Sequence, residues 1–195
     1  MKPGRRQLLG LVLAIFGVLG SIISCALPTW RSPEWRKSEG LWKSCNFDYS
    51  YYPRPTTDCK SYDSLLALPQ DLQAARVLIV FAIIVGIFGV IVGVVGGNCT
   101  NLVSNKKKNS KVAIASGIIF IISGVLVIIP ICWSTITTLT MARTSYYGPP
   151  LMGASLYIGW ASAGLLLLGG SLLCFFCSRS NENGFKVEYS KPSSV

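Results

Sequence analysis

The sequence predicts an α-helical membrane protein, a bundle of four transmembrane helices with a small antiparallel β-sheet outside the membrane. Charged side chains are absent from four long stretches, residues 7–30, 77–105, 112–142 and 144–178. Basic residues concentrate on segments that would share one side of the membrane. The longest segment on the other side combines two cysteines with many aromatic residues.

Each uncharged stretch is long enough to cross a bilayer. A helix rises about 1.5 Å per residue, so roughly 20 residues span a hydrocarbon core of about 30 Å. A soluble core in a chain of 195 residues has no room for four such stretches. We therefore predict transmembrane helices near 8–27, 77–97, 112–134 and 154–177.

The first helix could instead be a secretory signal peptide. Lys2, Arg5 and Arg6 precede its apolar run, and Ser24-Cys25-Ala26 is an acceptable cleavage site. The run is about 20 residues long, however, which exceeds the usual apolar core of a signal peptide. The sequence therefore favours a retained helix.

The distribution of Lys and Arg predicts the orientation, because cytoplasmic segments are enriched in both. The amino-terminal tip, the loop 98–111 and the tail 179–195 together hold ten basic and two acidic residues. The segments 28–76 and 135–153 hold eight basic and six acidic residues and are predicted to be extracellular. The net charge of +10 thus reflects topology and gives no indication of a nucleic-acid partner. Lys106–Lys108 could also contact anionic membrane lipid.

Chemistry-bearing residues are scarce. The chain has no histidine, the commonest acid-base catalyst and metal ligand. It has no phosphate loop, nucleotide fingerprint or metal-spaced cysteine cluster. The transmembrane stretches lack Asp, Glu, Lys and Arg, which pumps and transporters usually need within the membrane. The sequence therefore argues against an enzyme or transporter and predicts no cofactor.

Two helices should extend beyond the membrane. Pro69 followed by Asp71 is typical of a helix start, so helix two is predicted to begin outside the membrane. The uncharged stretch around Pro130 would reach about 46 Å as a continuous helix. We expect helix three to bend at Pro130 and project outward. Gly89 and Gly93 form a GxxxG motif that predicts close packing within the bundle, although a dimer face fits the same pattern.

The first extracellular segment is predicted to contain a disulfide-stapled hairpin. Its β-favouring aromatic residues are Trp42, Phe47, Tyr49, Tyr51, Tyr52 and Tyr62. Cys45 and Cys59 lie in the oxidising compartment, where a disulfide is expected. Closing a loop of this length contributes about 3 kcal/mol. Pro53 and Pro55 mark the bend between the strands.

These residues resemble a known family. Trp30, then Gly40-Leu41-Trp42, then Cys45 and Cys59, is similar to the W-GLW-C-C signature of claudins. Longer blocks resemble claudins as well: residues 62–69, 71–76 with Arg76, 99–102, 132–133 and 153–160. The short signature also occurs in tetraspan relatives such as peripheral myelin protein and channel auxiliary subunits. The longer blocks favour claudins proper, and the resemblance reaches about residue 178.

The resemblance implies a left-handed four-helix bundle carrying the extracellular sheet, with Trp30 and Gly-Leu-Trp at its membrane face. Claudins polymerise side by side, meet protomers of the next cell at tight junctions, and seal the paracellular space or form charge-selective pores. The alternative is an accessory or regulatory subunit of the same fold that builds no strands. Lys60, directly after the second cysteine, matches a claudin position that influences ion preference, and Lys43 lies near it. Barrier function or anion preference is expected, unless these lysines are only solvated surface charges.

The chain departs from the claudin pattern in three places. Only nine residues separate Trp30 from Gly40, where claudins usually have a longer stretch forming two strands and a variable loop. Thirteen residues separate Cys45 from Cys59, more than in most members. In the second extracellular segment, Tyr146-Tyr147-Gly148-Pro149 resembles the aromatic turn used in trans contacts, but Gly148 replaces the usual Asn. Strand assembly, pore geometry and recognition by clostridial enterotoxin depend on these regions.

The cytoplasmic side carries further signals. Ser193-Ser194-Val195 fits a PDZ groove, which adds the peptide as a strand and captures its carboxylate. In claudins such a tail recruits scaffolds of the zonula occludens type, and the tail 179–195 is otherwise expected to be disordered. Three cysteines are candidate palmitoylation sites, with unmodified thiols as the alternative: Cys99, Cys174 and Cys177. Cys25 and Cys132 are expected to serve in packing.

Overall fold

The computed structural model describes residues 3–34, 37–48, 56–64, 68, 70–96, 106–144 and 151–189. Its four helices are α1 (Pro3–Ala26), α2 (Gln70–Gly96), α3 (Lys106–Thr144) and α4 (Ala154–Tyr189). Its five strands are β1 (Arg31–Glu34), β2 (Lys37–Glu39), β3 (Lys43–Asp48), β4 (Thr56–Ser61) and β5 (Leu151–Met152). Each helix contains an apolar span long enough to cross a membrane. The predicted class, four membrane helices and a small antiparallel sheet, is confirmed.

Glycines and serines let the helices approach closely. A Cβ on Gly169 would lie 2.7 Å from the Gly10 carbonyl oxygen, and one on Gly117 would lie 2.8 Å from the Gly170 carbonyl oxygen. These pairs join α4 to α1 and to α3. In the GxxxG motif, Gly89 faces Phe120 of α3 and Gly93 faces Leu11 of α1. The motif therefore packs inside the bundle, which removes the alternative of an exposed dimer face.

Helix α3 is longer than the membrane is thick. Its 39 residues correspond to about 58 Å of helix. Pro130 lies inside this helix, which continues beyond it to Thr144. The outer end contacts β1 and β5. Helix α3 thus reaches the sheet, whereas its outward projection and its bend at Pro130 stay predictions.

Helix α4 extends further than the sequence predicts. It continues to Tyr189, through most of the segment 179–195 for which we expect a disordered tail. The physical reason is cooperativity, since adding residues to an existing helix avoids the cost of nucleation. The prediction of disorder rests on the polar composition of residues 179–195, and it takes no account of the helix that precedes them.

The five strands form one antiparallel sheet in the order β4-β3-β2-β1-β5. Strands β1 and β2 are both present although the stretch between Trp30 and Gly40 is short. Arg31 pairs with Glu39 and Glu34 pairs with Lys37, so only residues 35–36 connect the two strands. The shortening therefore removes the loop and keeps the strands. Strand β5 pairs with β1 and brings the second extracellular segment into the same sheet.

Candidate functional site: the extracellular sheet and its seat on the helices

Trp30 fixes the start of the sheet to the end of α1. Its indole is fully buried, and its Nε1 donates a hydrogen bond of 2.7 Å to the Ser24 carbonyl oxygen. Its backbone nitrogen donates to the Glu39 carbonyl oxygen at 3.1 Å, which continues the pairing of β1 with β2. One residue thus joins the helix bundle and the sheet.

Gly40 and Leu41 form the second part of this seat. Leu41 is fully buried. A Cβ on Gly40 would lie 2.8 Å from the carbonyl carbon of Pro28, so the backbone approach leaves no space for a side chain. The Gly40 nitrogen donates to the Lys43 carbonyl oxygen at 2.9 Å and closes the turn into β3. The Gly-Leu pair therefore presses the β2–β3 turn onto the segment that follows α1.

Trp42 connects the same turn to both α1 and α2. The Arg76 guanidinium carbon lies 3.7 Å from the centroid of the Trp42 ring, within the range of a cation–π interaction. The Trp42 Nε1 donates to the Cys25 sulfur at 3.4 Å. Trp42 as a residue remains 38% exposed. An aromatic ring that is partly packed and partly open suits the membrane–water interface.

A second link joins α2 to α3 at the same end of the bundle. The Trp133 Nε1 donates to Asp71 Oδ1 at 3.2 Å. Trp133 is itself exposed, and so are Tyr157 and Trp160 near the start of α4. Exposed aromatic rings at one end of a helical bundle are typical of an interfacial belt.

The second extracellular segment is attached next to Trp30. The Ser155 nitrogen donates to the Thr29 carbonyl oxygen at 3.3 Å, and the Ser24 hydroxyl donates to the Ser155 carbonyl oxygen at 2.7 Å. A Cβ on Gly153 would overlap the Thr29 carbonyl oxygen. Both extracellular segments therefore meet at the end of α1.

Cys45 and Cys59 face each other across β3 and β4 and form a disulfide. The predicted staple of the hairpin is confirmed. Cys45 is buried and Cys59 is exposed, so the bond fixes the outer edge strand to the better-packed strand β3. Every residue of β4 is exposed.

The strand register divides the charged side chains between the two faces of the sheet. Paired residues of an antiparallel sheet point to the same face, and successive residues alternate. Ser44 pairs with Lys60, Asn46 with Asp58, Lys37 with Asn46, and Glu39 with both Ser44 and Arg31. We call the face that these residues share the polar face; it comprises Arg31, Lys37, Glu39, Ser44, Asn46, Asp58 and Lys60. Lys43 pairs with Ser61 and lies on the opposite face, with the disulfide.

A charge cluster on the polar face combines the buried pair of Arg31 and Glu39 with the partly exposed Lys37. Arg31 contacts Glu39 at 3.0 Å, and Lys37 contacts the other carboxylate oxygen at 2.8 Å. Burial by itself would raise the pKa of Glu39, but hydrogen bonds from Lys37 and Arg31 and their positive charges outweigh it, so the pKa is lowered. Burial and the Glu39 charge raise the pKa of neighbouring Tyr62. We did not predict this cluster from the sequence, although strand alternation from Arg31 through a tight turn to Glu39 could have suggested it.

The remaining predicted site residues are either partly buried or outside the part of the chain that the structure describes. The sulfur of Cys174 contacts the Ile114 carbonyl oxygen at 3.7 Å and lies toward α3, so this candidate palmitoylation site is half-buried between helices. Cys177 belongs to α4, but its side chain is outside the described part. Seven candidates lie wholly outside the described residues: Cys99, Tyr146, Tyr147, Pro149, Ser193, Ser194 and Val195. The bend residues Pro53 and Pro55 also lie outside it.

The geometry defines a four-helix membrane protein whose extracellular sheet is seated on the bundle by Trp30 and a Gly-Leu-Trp turn. The family model described as the PMP-22/EMP/MP20/Claudin family matches residues 5–173. Claudin-4 of Bos taurus is 44% identical, with 97% of this chain and 94% of the relative covered. Claudin-like protein ZF-A89 of Danio rerio is 43% identical (97% and 95% covered), and Claudin-6 of Homo sapiens is 42% identical (94% and 87% covered). The chain therefore belongs to the claudin family.

Proposed function

We propose that this protein is a structural component of tight junctions that polymerises in the membrane and adheres to protomers of the adjacent cell. It controls the passage of ions between cells. Membership of the claudin family supports a structural rather than a catalytic role. The observation that carries the proposal is the complete extracellular sheet: β1 and β2 persist despite their short connection, and β5 ties in the second segment.

Within this function we propose a barrier or a weak anion preference. Lys60 is exposed on the outermost strand, where an ion passing along the polar face would meet it. A charge on the wall of a narrow aqueous path raises the local concentration of counter-ions. Lys43 lies on the opposite face, so the register favours Lys60 as the determinant.

A second candidate function is an accessory subunit of the same fold that builds no strands. The observation in its favour is the connection between β1 and β2, which is limited to residues 35–36. In claudins the longer loop at this place takes part in contacts between protomers. Loss of that loop leaves fewer groups to join neighbouring copies.

Expression in fibroblasts that lack junctions separates the two candidates. Freeze-fracture of contacts between expressing cells should show continuous intramembrane strands if the protein polymerises. Scattered particles without strands, in cells whose surface labelling shows delivery of the protein, would exclude the first candidate and leave the second. Untransfected cells provide the background.

Further parts of the proposal concern partners and topology. We propose cytoplasmic termini, a PDZ scaffold bound by Ser193-Ser194-Val195, trans contacts by Tyr146, Tyr147 and Pro149, and lipid contact by the exposed apolar side of α2. Cys99 and Cys177 are better palmitoylation candidates than Cys174, whose sulfur is packed against α3. A peptide of residues 179–195 should bind a zonula occludens PDZ domain, and replacing Val195 with Asp should abolish binding, because the apolar pocket cannot accept a carboxylate.

A further inference from the structure

We propose that Asp58 is a second determinant of ion preference, acting as the local counter-charge of Lys60 on strand β4. This inference rests on the proposed function and deepens it. Lys60 is not an isolated positive charge, because the structure pairs it with Asp58. The wild-type chain should therefore discriminate between cations and anions less than Lys60 alone would predict.

The geometry of β4 brings the two charges together. Asp58 and Lys60 are separated by one residue and point to the same face, because side chains alternate along a strand. The Lys60 Nζ lies 3.8 Å from Asp58 Oδ2. The intervening Cys59 points to the other face and is held there by its disulfide to Cys45. The staple thus keeps both charges on the polar face.

The residues paired directly with Asp58 and Lys60 on the adjacent strand are uncharged. These partners are Asn46 and Ser44. The charge cluster of Arg31, Lys37 and Glu39 is one strand further away, and neighbouring strands are about 4.8 Å apart. Arg31 and Lys37 already contact Glu39 there. The field close to Lys60 is therefore set mainly by Lys60 and Asp58.

Exposure decides how the pair acts. The side chains of Lys60 and Asp58 are 79% and 68% exposed, so the contact is a solvated one and adds little to folding stability. Both charges remain accessible to ions. An ion several ångströms away meets a positive and a negative charge at nearly equal distance, and their effects largely cancel. Replacing Asp58 should uncover the charge of Lys60.

The magnitude follows from screened electrostatics. A unit charge about 7 Å from an ion in water, with a Debye length near 8 Å, changes the local concentration of that ion about 1.5-fold. Cations and anions change in opposite directions, so removing one charge alters their permeability ratio about twofold. Low-dielectric walls would increase this effect.

The test is a set of variants expressed in an epithelial layer of low endogenous claudin content, read out by sodium chloride dilution potentials. Asp58→Asn should shift the permeability ratio toward chloride by about twofold or more. Lys60→Gln should shift it toward sodium, and the double variant should return close to wild type. Lys43→Gln, on the opposite face, should leave the ratio unchanged. Asp48→Asn, at the next register position opposite Thr56, should give a smaller shift than Asp58→Asn.

The outcomes separate the inference from the proposed function. Strands that form normally with an unchanged ratio in Asp58→Asn overturn the inference alone. An equal shift in Asp48→Asn also overturns it, because the effect would then belong to the acidity of the hairpin and not to the pair. A wild-type protein that reaches the surface, forms no strands and leaves transepithelial resistance unchanged overturns both. Surface biotinylation of each variant shows that it folds and is delivered.

Discussion

Replacing Glu39 with Gln should destabilise the extracellular sheet more than any exposed charge substitution. The change removes the carboxylate that contacts Arg31 at 3.0 Å and Lys37 at 2.8 Å. The Lys37 side chain is 42% exposed and can be hydrated by water when its contact with Glu39 is lost. The Arg31 side chain is only 8% exposed, so its charge would stay buried after losing its contact with the Glu39 carboxylate.

The expected cost follows from that difference. Breaking a buried ion pair by removing one partner typically costs 3–5 kcal/mol, and we expect about 3 kcal/mol because Lys37 can be rehydrated. For a chain of this size, 1 kcal/mol corresponds to about 2–4 °C in the melting temperature, so Glu39→Gln should lower it by about 6–12 °C. Thermal unfolding of the purified protein in detergent, followed by tryptophan fluorescence, measures this. Trp30 adjoins the cluster and reports on the sheet.

Two control variants make the result interpretable. Asp63→Asn removes an exposed carboxylate just beyond β4 and should change the melting temperature by no more than about 1 °C. Replacing both Arg31 and Glu39 with Met should recover much of the loss, because both charges of the buried pair are then removed together. A Glu39→Gln shift no larger than that of Asp63→Asn would refute the reasoning that the cluster stabilises the sheet.

The remaining predictions concern pH, packing and the staple. Because the folded-state pKa of Glu39 is lowered, its stabilising contribution is present above the ordinary glutamate pKa and is lost as the pH falls through the folded value. The melting temperatures of wild type and Glu39→Gln should therefore differ by a constant amount above the ordinary glutamate pKa, and the difference should shrink as the pH falls below it; a difference that stays the same down to the lowest pH at which the protein remains folded would contradict this. Gly40→Ala should prevent surface delivery because its methyl group would meet Pro28, whereas Gly164→Ala, with no atom within 4 Å, should be delivered normally in the same biotinylation assay. Replacing Cys45 and Cys59 with Ser should cost about 3 kcal/mol and speed amide exchange in β3 and β4 while the helices stay protected; equal exchange in both proteins would show that the staple is dispensable.

The sequence predicts the membrane part of the fold well because uncharged runs of this length have few alternatives in water. It also predicts the hairpin, because Cys45 and Cys59 lie in an oxidising compartment, where a disulfide is expected, and are surrounded by β-favouring residues. Strand β5 is beyond its reach, because Leu151–Met152 has too few residues for a periodic signal and exists only through pairing with β1. The continuation of α4 to Tyr189 depends on the helix before it.

The candidate site shows the same division. Trp30, Gly40 and Trp42 are recognisable from the sequence because they match the claudin signature. The opposite facing of Lys43 and Lys60 depends on the register of β3 with β4, which is not encoded locally. The Arg31–Glu39 contact depends on how tightly β1 turns into β2. Long-range pairing therefore decides which charges act together.

The central claim is that the extracellular sheet still supports assembly between copies of the chain, although only residues 35–36 connect β1 and β2. Trp30 and Gly-Leu-Trp seat this sheet on the bundle. Freeze-fracture of contacts between junction-free fibroblasts tests the claim most directly when wild type and Glu39→Gln are compared at equal surface expression. We expect continuous strands for the wild type and fewer, interrupted strands for Glu39→Gln. Wild-type contacts without strands would contradict the claim.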